Sequence, residues 1–269
     1  MVELFSWNPR LPLLPGKTGR SLMPAMSRQA NNFGDMLGPA LTSRLLAEFG
    51  IVNRASDSTA RLLTIGSVLH FARDGDIVWG SGRNGKIAVH HHRFSALDVR
   101  AVRGPLTADF LQTLGVEAPR VFGDPGLLTA RMFPELLSSS GKDKHALTIS
   151  PNFNDFGALR DRRNVLNPRG PLINCLARIA NSDLVVGSSL HGIIVAESYG
   201  VPARLVRPHH ESDFKYRDYY LGTGREVPET APDVATAIRM GGAPPLEYDS
   251  APLIETFPYD LWNGTYDHQ

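Results

Sequence analysis

Residues 183–202, DLVVGSSLHGIIVAESYGVP, constrain the fold more than any other stretch of this sequence. Leu184 to Val186 make a short apolar run that ends in Gly187-Ser188-Ser189. Apolar residues at helical spacing follow, Ile193, Ile194, Ala196 and Tyr199, until Gly200 and Pro202 stop them. The order is strand, tight turn, helix. In an open α/β sheet such a turn lies at the carboxyl end of a strand, where ligands bind. The first turn of the helix then presents free N–H groups and a positive dipole end to an anion. His191 stands at that point. From these residues alone two readings stay open: an anion site around His191, or a helix start at which Ser188 and Ser189 only satisfy backbone donors.

The chain has 269 residues, enough for one large or two small cores, and 28 basic residues balance 27 acidic ones. That balance argues against a general nucleic-acid or polyanion binder, so an anion site must be local. The single cysteine, Cys175, excludes an intramolecular disulfide and sits in an apolar helical pattern, as a buried inert thiol does. Residues 1–26 are interrupted by Asn8, Arg10, Lys17 and Arg20, and no run of about 18 apolar residues occurs. The expectation is a cytoplasmic protein, with peripheral contact at the inner face of the membrane left open.

Other segments repeat strand, small-residue loop and helix. Residues 2–7 predict a strand and the Pro/Gly-rich run to Pro24 a loop. Asn31-Asn32-Phe33-Gly34-Asp35 through Pro39 predict a turn before a helix at 40–49. Residues 61–69 and 76–82 each read as an apolar strand emptying into a small-residue loop, where Ser81 and Gly82 let a ligand approach the backbone. Gly80 to Gly85 matches a dinucleotide fingerprint by letter only, since residues 86–92 look extended and no acidic strand end follows. His90-His91-His92 predicts a polar surface strand, not a metal site. In residues 97–105 the alternation puts Arg100 on one face and Arg103 near the strand end, before Gly104-Pro105 opens a helix at 106–114. An arginine there can grip carboxylate or phosphate in a two-point fork, or pair with a surface acid.

Residues 121–128 predict another strand and turn, and 138–144 a linker. The second half restarts with strands at 146–150 and near Val165, a helix at 172–180, the 183–202 unit, a strand at 204–206, and a helix at 232–240. Residues 213–220 are placed to cover a cleft. The fold class expected is α/β, with mostly parallel sheets in two Rossmann-like domains facing a cleft. The division is 1–137, 138–245, and a tail 246–269 packing back on the first domain.

Four motifs, Asn32-Phe33-Gly34-Asp35, Val102-Arg103-Gly104-Pro105-Leu106-Thr107, Gly123-Asp124-Pro125 and Ser188-Ser189-Leu190-His191-Gly192, together resemble the polysaccharide pyruvyl transferases. The resemblance covers about residues 31–202. It implies a GT-B-like fold and transfer of a pyruvyl group from phosphoenolpyruvate to a sugar, commonly as a ketal, in exopolysaccharide or cell-surface polysaccharide biosynthesis. It gives Arg103 a donor-site role and His191 the role of acid or donor ligand. Asp35, with Glu197 as the other candidate, takes the hydroxyl proton. Asn32, Gly34, Ser81, Gly82, Arg83, Ser188, Ser189 and Gly192 complete the donor site. Some members carry arginine where this chain has Ser189. The phosphate contact that this removes falls to Arg83, Arg207 or Lys215.

The chemistry suits these residue types. A helix N-terminus and an arginine fork match the phosphate and carboxylate of phosphoenolpyruvate, and a protonated histidine can supply a proton to its methylene carbon. No step calls for a metal or a further cofactor. The partners expected are phosphoenolpyruvate and a free or lipid-linked oligosaccharide, with no nucleic acid. Two other readings use the same residues: a nucleotide-sugar glycosyltransferase, whose diphosphate the Gly-rich turns would hold, and a non-catalytic sugar- or anion-binding protein.

Overall fold

Short apolar runs between small-residue loops become short, fully covered parallel strands. The computed structural model describes residues 2–12, 27–52, 60–138 and 144–262. β1 (Glu3–Phe5), β4 (Arg61–Leu63), β5 (Ile77–Trp79) and β6 (Asp98–Ala101) form a parallel sheet in that order, extended by a bridge between Val102 and Phe122. Every residue of β4 and β5 is buried, so apart from Arg61, which pairs with the buried Asp76, these strands read as continuous apolar runs and not as alternation. A second parallel sheet holds β7 (Thr148–Ile149), β8 (Val185–Gly187) and β9 (Ala203–Leu205). β2 (Arg10–Pro12) and β3 (Ser27–Gln29) make a small antiparallel pair. The fold is therefore mixed α/β with parallel sheets.

Helix α1 (Phe33–Glu48) begins seven residues before the expected start and runs through Pro39. Proline inside a helix costs about 3 kcal/mol. Phe33, Leu37, Leu41 and Leu45, four residues apart, are all essentially unexposed. Burying each stabilises by roughly 1.5–3 kcal/mol, so the stripe outweighs the proline. The motif Asn32 to Asp35 is consequently a helix start and not a free turn. α1 packs in one apolar cluster with Leu62, Ile77 and Trp79 of the first sheet and with Val185, Ile193 and Val195 of the second sheet's unit. The other principal helices are α2 (Pro105–Thr113), α5 (Leu172–Ala180), α6 (Leu190–Ser198), α7 (Phe214–Gly222) and α8 (Val234–Met240). Short helices α3 (Thr129–Met132) and α4 (Phe156–Leu159) lie between α2 and α5, and α9 (Ala251–Glu255) lies near the end. Trp79 Nε1 donates to Leu253 O of α9 at 2.8 Å, and its ring meets Phe257 edge-on.

Several local expectations give way to tertiary demands. Residues 86–92 are not extended: Val89–His91 is a 3-10 turn, with His90 and His91 exposed and His92 buried against Phe110. In 121–128 only Phe122 bridges the sheet, because the Asp124 carboxylate accepts from Gly126 N and caps a 3-10 turn at Pro125–Leu128. Val165 makes a single bridge to Ile149. Most of the loop expected up to Pro24, and most of the 138–144 linker, lie outside the described residues. Among the described residues no helix is long and apolar enough to cross a membrane.

Candidate active site

Loops at the carboxyl ends of both parallel sheets open onto one cleft of about 440 Å³. Asn32 and Asp35 reach it from the start of α1, His70 from the loop after β4, and Lys86 from the loop after β5. Ser189 and His191 come from the start of α6, and Lys215 from α7.

Ser189 is the N-cap of α6, its Oγ accepting from Gly192 N at 3.2 Å. Ser188 Oγ turns away, donating to Asp155 Oδ2 at 2.7 Å and accepting from Asn152 N. The two serines thus serve the backbone and a buried loop, as one of the open readings held. His191 does not. Its Nε2 is buried without a hydrogen-bond partner, and its ring lines the cleft. Burial, then the charges of Lys215 and Arg103, hold it at about 3, far below the usual range, so the imidazole is neutral at pH 7. Gly34 lies directly beneath it. A methyl group on Gly34 would collide with the ring Nδ1 and would lie 2.7 Å from Cγ and 2.9 Å from Cβ of His191. The first and fourth motifs are therefore one unit in space.

Asp35 accepts from Asn32 Nδ2 at 2.5 Å. Burial pushes its carboxyl up to about 6 against that hydrogen bond and the attraction of Lys215, while Glu211 adds to the rise. Glu211 is the electrostatic hub on the facing wall: Oε1 accepts from Lys86 Nζ at 2.9 Å and Oε2 from Lys215 Nζ at 3.0 Å. Burial opposes its charge, yet the two lysines hold it below the usual carboxylate range. Burial likewise draws Lys215 down, against its bond to Glu211.

A test follows from the raised Asp35 carboxyl. The folded state holds its proton more tightly than the unfolded chain, so Asp35 contributes stability below pH 3.8 that is lost as the pH rises through about 6. Asp35→Asn keeps the shape without the charge. Above pH 7 it is expected to unfold ~2 kcal/mol later than the parent, after discounting for partial exposure. That is a rise in Tm of about 4 °C, shrinking to nothing near pH 4, and thermal unfolding across that range checks it.

The remaining expected residues fall behind the cleft wall. Arg103 is 1% exposed and donates Nε to Asp218 Oδ2 at 3.1 Å, Nη1 to Ser67 Oγ at 2.7 Å and Nη2 to Arg83 O at 3.1 Å. Ser81 Oγ and Gly82 N both donate to Gly66 O, and the Arg103 guanidinium lies against Gly82. Arg83 sits over the Phe110 ring at 4.1 Å. Glu197 takes a two-point bond from Arg225 and a third from Tyr219 Oη, so it is structural. Arg100 pairs with Asp98 and Asp260. Of the three cations proposed to replace the arginine absent at Ser189, Lys215 lines the cleft; Arg83 and the exposed Arg207 do not.

The family model described as polysaccharide pyruvyl transferase matches residues 85–210. The succinoglycan biosynthesis protein ExoV of Rhizobium meliloti is 30% identical over 205 residues, which are 71% of this chain and 61% of that protein's length. Over this region the chain is similar to the polysaccharide pyruvyl transferases, and it spans about 61% of the length of the curated relative it matches. A solved structure of an uncharacterised Klebsiella pneumoniae protein is 14% identical and gives a TM-score of 0.45, over 74% of this chain and 88% of that one.

The pyruvyl transferase motifs thus divide into two kinds. Asn32 to Asp35 and Ser188 to Gly192 build the cleft, whereas Arg103 to Thr107 and Gly123 to Pro125 build its support. Sequence reading missed His70, Lys86 and Glu211. A signal for His70 existed, since it lies a few residues past β4 in the very loop, Gly66-Ser67, that marks a strand's carboxyl end. Glu211 carried only its i,i+4 spacing to Lys215, which does not point to a cleft. Because Gly34 touches His191, Gly34→Ala is expected to displace the imidazole and cut turnover about 10²-fold, with Tm little changed, and steady-state kinetics beside thermal unfolding separates the two.

Proposed function

We propose that this chain transfers a pyruvyl group from phosphoenolpyruvate to hydroxyls of a sugar, forming a pyruvate ketal in exopolysaccharide or cell-surface polysaccharide biosynthesis. The observation that carries the reading is that His191, Asp35 and Lys215 share one cleft at the N-terminus of α6, in a chain similar to this family over residues 85–210. The helix start and the lysines suit the donor's phosphate and carboxylate. His191 gives a proton to the methylene carbon of the donor, and the adjacent carbon becomes oxocarbenium-like. A sugar hydroxyl attacks that carbon and passes its proton to Asp35. Phosphate then leaves with its bonding pair, and a second hydroxyl closes the ketal and releases its own proton. The donor's negative charge offsets the repulsion of Lys215 and Arg103, which lifts His191 toward its working range.

The same reading makes the two parallel sheets the cores of GT-B-like halves, divided near residue 138, with the described tail 246–262 returning to the first. It puts the enzyme in the cytoplasm, with contact at the inner face of the membrane left open, acting on a free or lipid-linked oligosaccharide. The test is phosphate release from phosphoenolpyruvate in the presence of lipid-linked and free oligosaccharides. Acceptor-dependent release supports the proposal. Absence of both phosphoenolpyruvate binding and release, with nucleotide release from a sugar nucleotide, would move the assignment to a glycosyltransferase.

A further inference from the structure

One side of the cleft is aromatic, and the proposed chemistry does not use it. Trp7 from the loop after β1, Phe71 from the turn after β4 and Phe153 from the loop after β7 all line it. None belongs to the buried core: Phe71 is 38% exposed, and Trp7 and Phe153 are half-buried. Exposing such rings at a concave surface costs free energy unless something covers them in use. Their positions are fixed from behind. The Arg169 guanidinium lies over Phe153 at 4.5 Å, and Phe71 packs on His70 at 4.0 Å between centroids and on Phe5 at 5.7 Å.

We infer that Trp7, Phe71 and Phe153, with His70 beside them, form a pyranose subsite; that its sugar is the acceptor rests on the pyruvyl-transfer reading. A pyranose chair presents axial C–H groups of partial positive charge on one face, which the negative face of an aromatic ring attracts. Its hydroxyls need polar partners at the rim. His70 Nδ1 is buried without a partner, and Asn84 lines the same cleft. Burial holds His70 at about 4, so the ring is neutral and its nitrogens suit a hydroxyl. Ring geometry separates a sugar from a nucleobase. Trp7 and Phe153 meet at 87° with centroids 6.1 Å apart, a corner and not a parallel slot. A planar base gains most between parallel faces, whereas the corner fits the face and edge of a chair.

The subsite sits in the same cleft as His191 and Asp35, so a sugar on these rings brings hydroxyls toward the donor side. Saturation-transfer NMR with methyl β-D-galactopyranoside, methyl β-D-glucopyranoside and methyl α-D-mannopyranoside tests it, with uridine monophosphate as competitor. At least one glycoside is expected to bind saturably, with strongest transfer to protons of one ring face. Phe71→Ala and Phe153→Ala should each weaken it about tenfold, while Trp7→Phe retains it and Trp7→Ala loses it. Calorimetric affinity for phosphoenolpyruvate should stay within about twofold in the Phe71 and Phe153 variants. If Trp7→Ala fails to fold, the exposed Phe71 still decides the matter. Three results would overturn the subsite: transfer to no glycoside, unchanged binding in the ring variants, or displacement by the nucleotide at lower concentration than any glycoside. Glycoside binding without phosphoenolpyruvate binding would keep the subsite and sink the donor reading; the converse would do the reverse.

Discussion

His191→Asn is expected to lower acceptor-dependent phosphate release by about 10³-fold while the protein unfolds close to the parent temperature. The imidazole lines a cleft, its Nε2 binds nothing, and its loss removes little packing. Its resting state is neutral, because burial and then Lys215 and Arg103 hold it at about 3. A proton donor in that state must first gain its proton. Binding an anion with a phosphate and a carboxylate beside those cations supplies the drive, so donor binding at pH 7 should take up close to one proton. Calorimetry of phosphoenolpyruvate binding in two buffers of different ionisation enthalpy reads that number. The parent should show the uptake and His191→Asn should not. Stability gives an independent sign. The folded pKa lies below the unfolded value of 6.5, so the unfolded chain binds the extra proton and the parent loses stability as the pH falls through about 6.5, a loss the variant escapes. Near-normal turnover in the variant would end the acid role. Lost turnover with unchanged proton uptake would leave His191 a donor ligand only.

The parts of the cleft visible in the sequence are those built by local rules. Strand, small-residue turn and helix at 183–202 sets β8 and α6, and the N-cap at Ser189 follows from residue type. The start of α1 was not visible, because Pro39 signals a boundary and only the buried stripe from Phe33 to Leu45 overrides it. Glu211 holds two lysines from different parts of the chain, and no spacing rule joins residue 86 to residue 211. By sequence Gly34 has the look of a turn residue, yet it is small because His191 needs its space. Such pairings across long sequence separation are where motif reading stops. It names the residues that matter without saying which touch the substrate.

Arg103 illustrates that gap and yields the largest stability effect expected here. Arg103→Ala should destabilise the protein by roughly 3–5 kcal/mol, because it strands Asp218 as an uncompensated buried charge. Both partners are almost wholly unexposed, at 1% and 0%. Asp218 belongs to α7 and also accepts from Thr107 N at 2.9 Å and Thr107 Oγ1 at 2.6 Å. Gly104 completes the joint: any side chain there would strike the Asp218 carbonyl. Arginine, glycine and threonine of the one motif therefore clasp α7, the helix that carries Lys215 into the cleft. Loss of activity in Arg103→Ala is thus expected to accompany a fall in Tm of roughly 10 °C. Pairing the change with Asp218→Asn tests the clasp, since Asn keeps the bond from Thr107 N and removes the charge. The double variant should be more stable than Arg103→Ala alone, with a coupling of about 2 kcal/mol in urea unfolding. An Arg103→Ala protein that unfolds like the parent but no longer binds phosphoenolpyruvate would sink this account. It would give the arginine the direct donor contact that its place in the motif implies.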